Sequence, residues 1–478
     1  MWRGPRSLVA TVLMSTLGCG ASVDLPGDPD AHEALVPGAP YLVKDIVPGF
    51  ESSRPLSRVN VNGTLFFTAF DRLHGWELWR SDGTEAGTQI VKDIHPSTAG
   101  GCGRCPSPPM PRQLARVGRR LFFYATDEPH GSELWVSDGT EQGTHVVKDI
   151  ALGPVSSLYD LLDIVDFNGT AIFAASNGPS GAELWRSDGT VAGTRLVKDI
   201  RPGPDFGMLP FGQRSGGSKV YFEGDDGTHG SEPWVTDGTP GATYLLRDIN
   251  RLSFNERLAG GSGPSGFTPL PPTGRVYFTA YDGLESDLWS TDGTPAGTAR
   301  TKKLPHGLKA ILAESAGRLL LYVEDAATGR ELWSSDGTEA GTGLIKDIRP
   351  GPAGSNPSHA VSFGDFALFA AEDAEHGIEL WRSDGTEAGT FLVKDIRSGR
   401  ASSNPSEFVR AGNKIYFQAA EGPCALWMTD GTEAGTMPVP GGGEICPHGL
   451  TVSGRHLFFD AFVDGLGSEL WAIELRQP

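Results

Sequence analysis

The stretch Glu379–Thr390 reads Glu-Leu-Trp-Arg-Ser-Asp-Gly-Thr-Glu-Ala-Gly-Thr, and close copies of it recur along the chain. The tryptophans recur with a mean spacing of about 49 residues, a period typical of β-propellers and other repeat arrays. Residues repeated in this way are expected to build the blades rather than one particular site. The tryptophans are Trp79, Trp135, Trp185, Trp234, Trp289, Trp333, Trp381, Trp427 and Trp471.

Each repeat predicts four short strands. In the seventh copy they are expected at 360–363, 366–371, 378–382 and 391–396, separated by residues that favour turns. Four antiparallel strands joined by hairpins form one propeller blade. We therefore predict an all-β chain that folds into a single β-propeller of four-stranded antiparallel blades.

The two ends of the repeat region complement each other. Residues 41–46 resemble an isolated fourth strand, whereas the last copy stops after its third strand. Pairing 41–46 with the last blade would close the ring and remove two open sheet edges, which are aggregation hazards. Nine blades follow from the repeat count, or eight if a weak fourth strand at 300–304 or 437–440 does not form.

Residues 1–19 resemble a bacterial lipoprotein signal peptide, with arginines before a short apolar run that leads to Cys19. The run is too short to span a bilayer as a permanent helix. It departs from the usual motif because Leu17 lies one position late. We expect acylation at Cys19, or else plain secretion, which predicts an exported protein, either an outer-membrane lipoprotein or extracellular. Residues 20–40 are expected to form a flexible linker and 41–478 the propeller.

The formal net charge of −19 over 478 residues restricts the partners. Nucleic acid is excluded because its binding needs a basic face. We expect a monomer that meets a protein or polysaccharide at the cell envelope. Contact with the membrane is expected only through the lipid anchor.

These features resemble the bacterial ELWxxDGT-repeat proteins, which are exported β-propeller-like repeat lipoproteins. The resemblance covers nearly the whole mature chain, and eight copies contain Asp-Gly-Thr. It implies the propeller fold and export, but no reaction and no catalytic residues.

The Asp-Gly-Thr turns contain the candidate metal ligands Asp82, Asp138, Asp188 and Asp384. Calcium prefers six to eight oxygen ligands, often drawn from several closely spaced acids. One aspartate followed by glycine and threonine instead favours an Asx-type turn. We therefore predict no metal, and calcium is the only cofactor considered.

Two kinds of residue are candidates for ligand contact. Trp76 is the one tryptophan after the signal that lies outside the repeat. His74 and His130 each follow an aspartate by three positions, and such a pair could bind a metal or a proton. Because the copies of this pair are scattered among the blades, a hydrogen bond that fixes the loop is favoured. The Lys-Asp pair of strand four is expected to protect the outer blade edge.

Four cysteines remain after the acylation site. An oxidising compartment favours disulfides, which we predict as Cys102–Cys105 and Cys424–Cys446. The alternative is a zinc site that includes His448.

The sequence contains no evident nucleophile elbow, phosphate loop, zinc-protease motif or dinucleotide fingerprint. We predict a non-catalytic binding or scaffolding protein of the cell surface. Its partner is expected on the face opposite the Asp-Gly-Thr turns, where long connections at 95–113 and 250–272 open. Two alternatives stay open: a polysaccharide-active hydrolase or lyase with acids in the propeller channel, and a calcium-dependent adhesive protein.

Overall fold

The computed structural model describes residues 36–96, 110–157, 163–208, 214–252, 260–443 and 445–476. Nine blades of four antiparallel strands follow one another around a ring, and β1 (Val36–Pro37) adds a fifth strand to the sheet of the last blade, so the chain is a nine-bladed β-propeller. The predicted fold class and the count of nine are confirmed. Within the described ranges, no helix is long and apolar enough to cross a membrane.

The strands of each blade run in chain order from the channel outwards. Blade nine is the exception, because it combines both ends of the chain. The first two strands, β1 (Val36–Pro37) and β2 (Tyr41–Lys44), belong to blade nine. Blade one contains β3 (Leu56–Val61), β4 (Thr64–Asp71), β5 (Gly75–Ser81) and β6 (Gln89–Lys92), and blade two contains β7 (Arg112–Val117), β8 (Arg120–Asp127), β9 (Gly131–Ser137) and β10 (His145–Val146). Blade three contains β11 (Val165–Phe167), β12 (Thr170–Ala175), β13 (Glu183–Ser187) and β14 (Arg195–Lys198).

The remaining blades follow the same plan. Blades four to six contain β15 (Arg214–Gly216), β16 (Lys219–Asp225), β17 (Ser231–Thr236), β18 (Tyr244–Leu245), β19 (Ser265–Leu270), β20 (Arg275–Tyr281), β21 (Ser286–Thr291), β22 (Ala299–Lys302), β23 (Leu308–Ser315), β24 (Arg318–Asp325), β25 (Gly329–Ser335) and β26 (Gly343–Lys346). Blades seven to nine contain β27 (Ser358–Phe363), β28 (Phe366–Asp373), β29 (Gly377–Ser383), β30 (Phe391–Lys394), β31 (Ser406–Ala411), β32 (Lys414–Ala420), β33 (Cys424–Thr429), β34 (Met437–Pro438), β35 (His448–Ser453), β36 (His456–Val463) and β37 (Gly467–Arg476). Short 3-10 turns lie at Pro240–Ala242 and Pro271–Thr273.

The ring closes through its terminal strands. β2 pairs with β37, which places Leu42 opposite Trp471 and supplies the missing fourth strand of blade nine. The predicted closure by residues 41–46 is confirmed. β1 pairs with the far end of β37, where Val36 lies opposite Arg476. The last part of the predicted 20–40 linker is therefore an ordered strand.

The hydrophobic core lies between neighbouring blades. The repeated tryptophans are buried in strand three, except that Trp333 and Trp471 are partly buried. Trp135 of blade two packs in one cluster with Leu78 and Phe66 of blade one. Trp135 also meets Phe123 of its own blade, with ring centroids 6.3 Å apart. These contacts explain why every blade repeats the phrase.

The ring has two distinct faces. The turn face carries the turns between strands one and two and the Asp-Gly-Thr turns between strands three and four. The loop face carries the hairpins between strands two and three and the connections to the next blade. The two longest connections are 93–111 and 246–264, and their described parts, 93–96, 110–111, 246–252 and 260–264, lie at the loop face. The predicted 250–272 connection is therefore too long, because β19 occupies part of it.

Candidate functional site

The Asp-Gly-Thr turns use their carboxylates internally. Oδ1 of Asp82 accepts hydrogen bonds from the backbone N of Thr84 at 2.9 Å and from its Oγ1 at 2.7 Å. These bonds lower the pKa of Asp82. The chain is tight here: a Cβ on Gly87 would lie 2.0 Å from Asp82 Oδ1, so only glycine fits. The same geometry recurs at the other candidate metal ligands, Asp138, Asp188 and Asp384.

These candidate ligands do not converge. Asp82, Asp138, Asp188 and Asp384 belong to blades one, two, three and seven, and each turn contributes a single carboxylate. Across the described residues, no group of three or more His, Cys, Asp or Glu could hold a metal ion. Calcium would need more oxygen ligands than one such turn supplies.

Side chains of the preceding blade hold each turn. Arg80 Nη1 donates to the carbonyl of Gly139 at 2.8 Å, and Lys44 Nζ donates to that of Thr88 at 2.9 Å. Lys346 reaches Thr390 of the next blade in the same way. The lysine of the Lys-Asp pair was expected to guard a blade edge, but its long side chain crosses to the neighbouring blade. It is a contact between blades.

A buried carboxylate anchors the connection to the next blade, and sequence analysis did not assign it a role. Oε1 of Glu379 accepts from the backbone N of Ser403 at 2.8 Å, and its Oε2 accepts from Ser403 Oγ at 2.6 Å and from Ile396 N at 2.9 Å. The sequence feature that could have indicated this anchor is a serine three residues before strand one of the following blade, as Ser403 is before β31. The fully buried acids of this set are Glu77, Glu133, Glu183, Glu232, Asp287, Glu331, Glu379 and Glu469.

Burial raises the pKa of these carboxyls. The pKa of Glu133 rises to about 7, and that of Glu77 to about 8. A raised pKa is a feature of general acids, yet these side chains are closed to solvent. Their arrangement fits a structural anchor.

Blade eight replaces this anchor with a disulfide. Ala425 stands where the other blades have an acid, and the preceding Cys424 is bonded to Cys446 in the connection to blade nine. The predicted Cys424–Cys446 bridge is confirmed. Because Cys446 is oxidised, it is not a thiolate ligand, although His448 Nε2 lies 3.9 Å from its Sγ. The other predicted cysteines, Cys19, Cys102 and Cys105, lie outside the described residues.

The histidine loops contain the expected hydrogen bonds. Nδ1 of His74 lies 2.8 Å from Oδ2 of Asp71, and the distance from His130 to Asp127 is the same. The aspartates also accept from the histidine backbone N, which fixes each loop.

The Trp76 side chain is buried and is not available at the protein surface. It is 7 % exposed and packs against Phe70 on the paired strand, with ring centroids 5.9 Å apart. Trp76 was a candidate for ligand contact, but this cross-strand pair leaves its ring little surface to offer a ligand. The two rings lie on β4 and β5, close to the hairpin that joins these strands on the loop face.

The starts of strand one surround the loop-face mouth of the channel. His359, Glu407 and His448 occupy them in blades seven, eight and nine. Glu407 Oε2 accepts from the backbone N of Gly449 at 2.9 Å, which links blade eight to blade nine. Within the described ranges these side chains do not form a group of three that could hold a metal ion.

Exposed large apolar side chains distinguish the two faces. Among the described residues, nine lie on the loop face, whereas five lie in an Asp-Gly-Thr turn or towards the turn-face ends of outer strands: Val36, Val191, Leu344, Phe391 and Met437. Phe50 is 87 % exposed and Leu73 68 %, both on the loop face. Clusters of exposed apolar side chains mark interaction sites. The loop-face set is Phe50, Leu56, Leu73, Leu152, Val155, Phe206, Leu252, Leu284 and Phe462.

No protein-family model and no curated protein matches the chain. Among solved structures, it is similar to the computationally designed Ika8 protein at 13 % identity and a TM-score of 0.42, covering 77 % of this chain and 98 % of that one. It is similar to puromycin hydrolase at 14 % identity and a TM-score of 0.37, covering 83 % of this chain and 61 % of that one. The chain thus spans less than two thirds of the hydrolase.

Proposed function

We propose that this chain is a non-catalytic binding or scaffolding protein of the cell surface, anchored by acylation at Cys19, and a member of the ELWxxDGT-repeat proteins. Its partner, a protein of the cell envelope, binds the loop face. The uneven exposure of apolar side chains carries the proposal: among the described residues nine lie on the loop face and five towards the turn face, and the four most exposed of them, Phe50, Leu152, Leu284 and Leu73, are all on the loop face.

The repeated polar residues support this assignment because they are used for assembly. Asp82 bonds within its own turn, Glu379 anchors the following connection, and Lys44 bridges two blades. Recognition therefore rests with residues that differ between blades. Such residues are concentrated in loops, where binding sites are commonly placed on a rigid scaffold.

The position of Val36 supports one orientation of an anchored ring. Val36 lies opposite Arg476, at the turn-face end of β37. With Cys19 acylated, the entry of the chain into blade nine at this end supports an orientation in which the loop face points away from the membrane. That orientation leaves the exposed apolar residues accessible to an envelope partner.

The binding face is tested by capture of envelope proteins on the immobilised full-length chain. The variant Leu152→Ser/Leu284→Ser removes two exposed loop-face side chains, and Val191→Ser is the matched control on the turn face. We expect the first variant to lose captured proteins that both the wild type and the control retain. Identical capture by all three chains would refute the loop face as the binding surface.

The anchor is tested separately by labelling cells with a radioactive fatty acid. We expect label on the wild-type chain and its absence from Cys19→Ser. Equal label on both chains would exclude acylation at this cysteine.

A further inference from the structure

We infer that the junction of blades nine and one carries a docking site for a positively charged segment of a partner protein, which inserts an apolar side chain. The inference rests on the proposed binding function and names the chemistry of its partner. The site, called the junction patch, consists of Phe50, Leu73 and Phe462.

The three side chains belong to adjoining segments of the loop face. Phe50 precedes Glu51, whose carboxylate pairs with Arg72 at 3.0 Å, and Arg72 precedes Leu73. Phe462 lies opposite Ser468 across the β36–β37 pair, and Ser468 N donates to Ser52 Oγ at 2.8 Å. The connection that carries Phe50 thus lies between the hairpins of blades one and nine.

The support beneath the patch is rigid. Ser53 donates both its backbone N and its Oγ to Glu469, and its carbonyl accepts from Phe70 N at 2.8 Å. Phe70 in turn packs against the buried Trp76. A surface fixed before binding loses less conformational entropy when a partner docks.

The patch departs from the repeat. Phe50 is 87 % exposed, Leu73 68 % and Phe462 64 %, so none of them is needed to fill a core. Several other blades place proline, arginine, threonine or an acid at the matching positions. Those residues are Pro154, Pro204, Pro352 and Arg400 for Phe50, Pro129, Thr228 and Glu375 for Leu73, and Thr126, Glu324 and Glu372 for Phe462. Blades one and five, however, have the aromatic residues Phe70 and Tyr281 where blade nine has Phe462.

Charge selects the partner. Asp464 is exposed at the hairpin beside Phe462, Glu51 is exposed beside Phe50, and the chain has a net charge of −19. Complementary charge favours encounter with a basic segment. The same charge opposes anionic lipid headgroups and a second copy of this chain. Two basic residues belong to the same junction: Arg72, which is paired with Glu51, and the exposed Arg54, whose backbone N donates to Ser468 O at 3.2 Å.

The test uses two synthetic peptides with identical phenylalanine and leucine positions, one with lysines and one with glutamates between them. Fluorescence anisotropy with the full-length protein measures their affinities. We expect the lysine peptide to bind, with at least tenfold loss in Phe50→Ser/Leu73→Ser/Phe462→Ser and no loss in Val191→Ser. The glutamate peptide should bind at least tenfold more weakly. An unchanged melting temperature checks that the triple variant folds.

Three results would overturn the inference: equal affinity for both peptides, unchanged affinity in the triple variant, or no binding of either peptide. Light scattering that shows a dimer lost in the triple variant would assign the patch to a second copy instead. The proposed function is judged by a different readout. If the lysine peptide fails while the triple variant still loses envelope proteins, the binding function stands and only the partner chemistry falls.

Discussion

Ser53 Oγ donates a 2.6 Å hydrogen bond to Glu469 Oε2, although 416 positions separate the two residues. The backbone N of Ser53 donates to the other carboxylate oxygen at 2.9 Å. Nearby, Arg58 of blade one pairs with Asp460 of blade nine at 2.7 Å. Side chains therefore reinforce the closure that β2 and β37 make through their backbones.

The stability of the ring should fall as the pH rises from about 4.5 to 7. The pKa values of Glu133, Glu183, Glu232 and Glu469 are raised to about 7 by burial, from an ordinary value of 4.5. Between these values the folded chain holds protons that the unfolded chain has released, so the free energy of unfolding decreases with pH. Each such carboxyl contributes at most about 1.4 kcal/mol per pH unit. Thermal unfolding at pH 5, 6, 7 and 8 measures the effect.

One substitution isolates a single carboxyl. Glu133→Gln keeps the shape without the charge, and we expect a flatter dependence of Tm on pH. Glu141→Gln, in the exposed turn of the same blade, should leave that dependence unchanged. A wild-type Tm that increases from pH 5 to pH 8 would contradict the assignment.

Breaking the Cys424–Cys446 bond should destabilise the chain. It closes a loop with a sequence separation of 22 in the one blade that lacks the buried acid, and a loop of this size predicts a loss of roughly 3 kcal/mol. Urea unfolding of Cys424→Ser/Cys446→Ser measures the loss. Adding reductant to that variant reports any remaining effect of the other cysteines. Equal stability of wild type and variant would show that the bond is dispensable.

Removing one repeated tryptophan should cost far more than changing an exposed residue. Trp185→Ala leaves a cavity between blades and is expected to lower the free energy of unfolding by about 3–5 kcal/mol. Val191→Ser in the same blade should change it by less than about 0.5 kcal/mol. The urea midpoints of the two variants measure this difference in stability. Similar midpoints would refute the packing role.

Calcium should not stabilise the protein. Oδ1 of Asp188 already accepts two hydrogen bonds from Thr190. We expect the same Tm in millimolar calcium and in chelator, because a ligand of the folded state would raise it. Asp188→Ala should lower the Tm equally in both conditions. A calcium-dependent rise of several degrees in the wild type, absent from Asp188→Ala, would restore the cation interpretation.

The fold was predictable because the period of the tryptophans and the complementary chain ends leave few arrangements. The role of Glu379 was not, since its partner Ser403 lies 24 positions away and belongs to the lead into another blade. Trp76 became a candidate for ligand contact because it breaks the pattern, and the pattern does not reveal that the side chain is buried against Phe70 on the paired strand. The junction patch depends on hairpins from opposite ends of the chain, which spacing within one repeat does not relate.

The pairing of Leu42 with Trp471 has a consequence for biosynthesis. The strand that completes blade nine is made first, yet it must wait for nearly the entire polypeptide to be translated. In a prematurely terminated chain, β2 has no β37 to pair with, so two sheet edges stay exposed to proteases. Because the ring closes only when both terminal strands are present, closure distinguishes full-length chains from truncated ones.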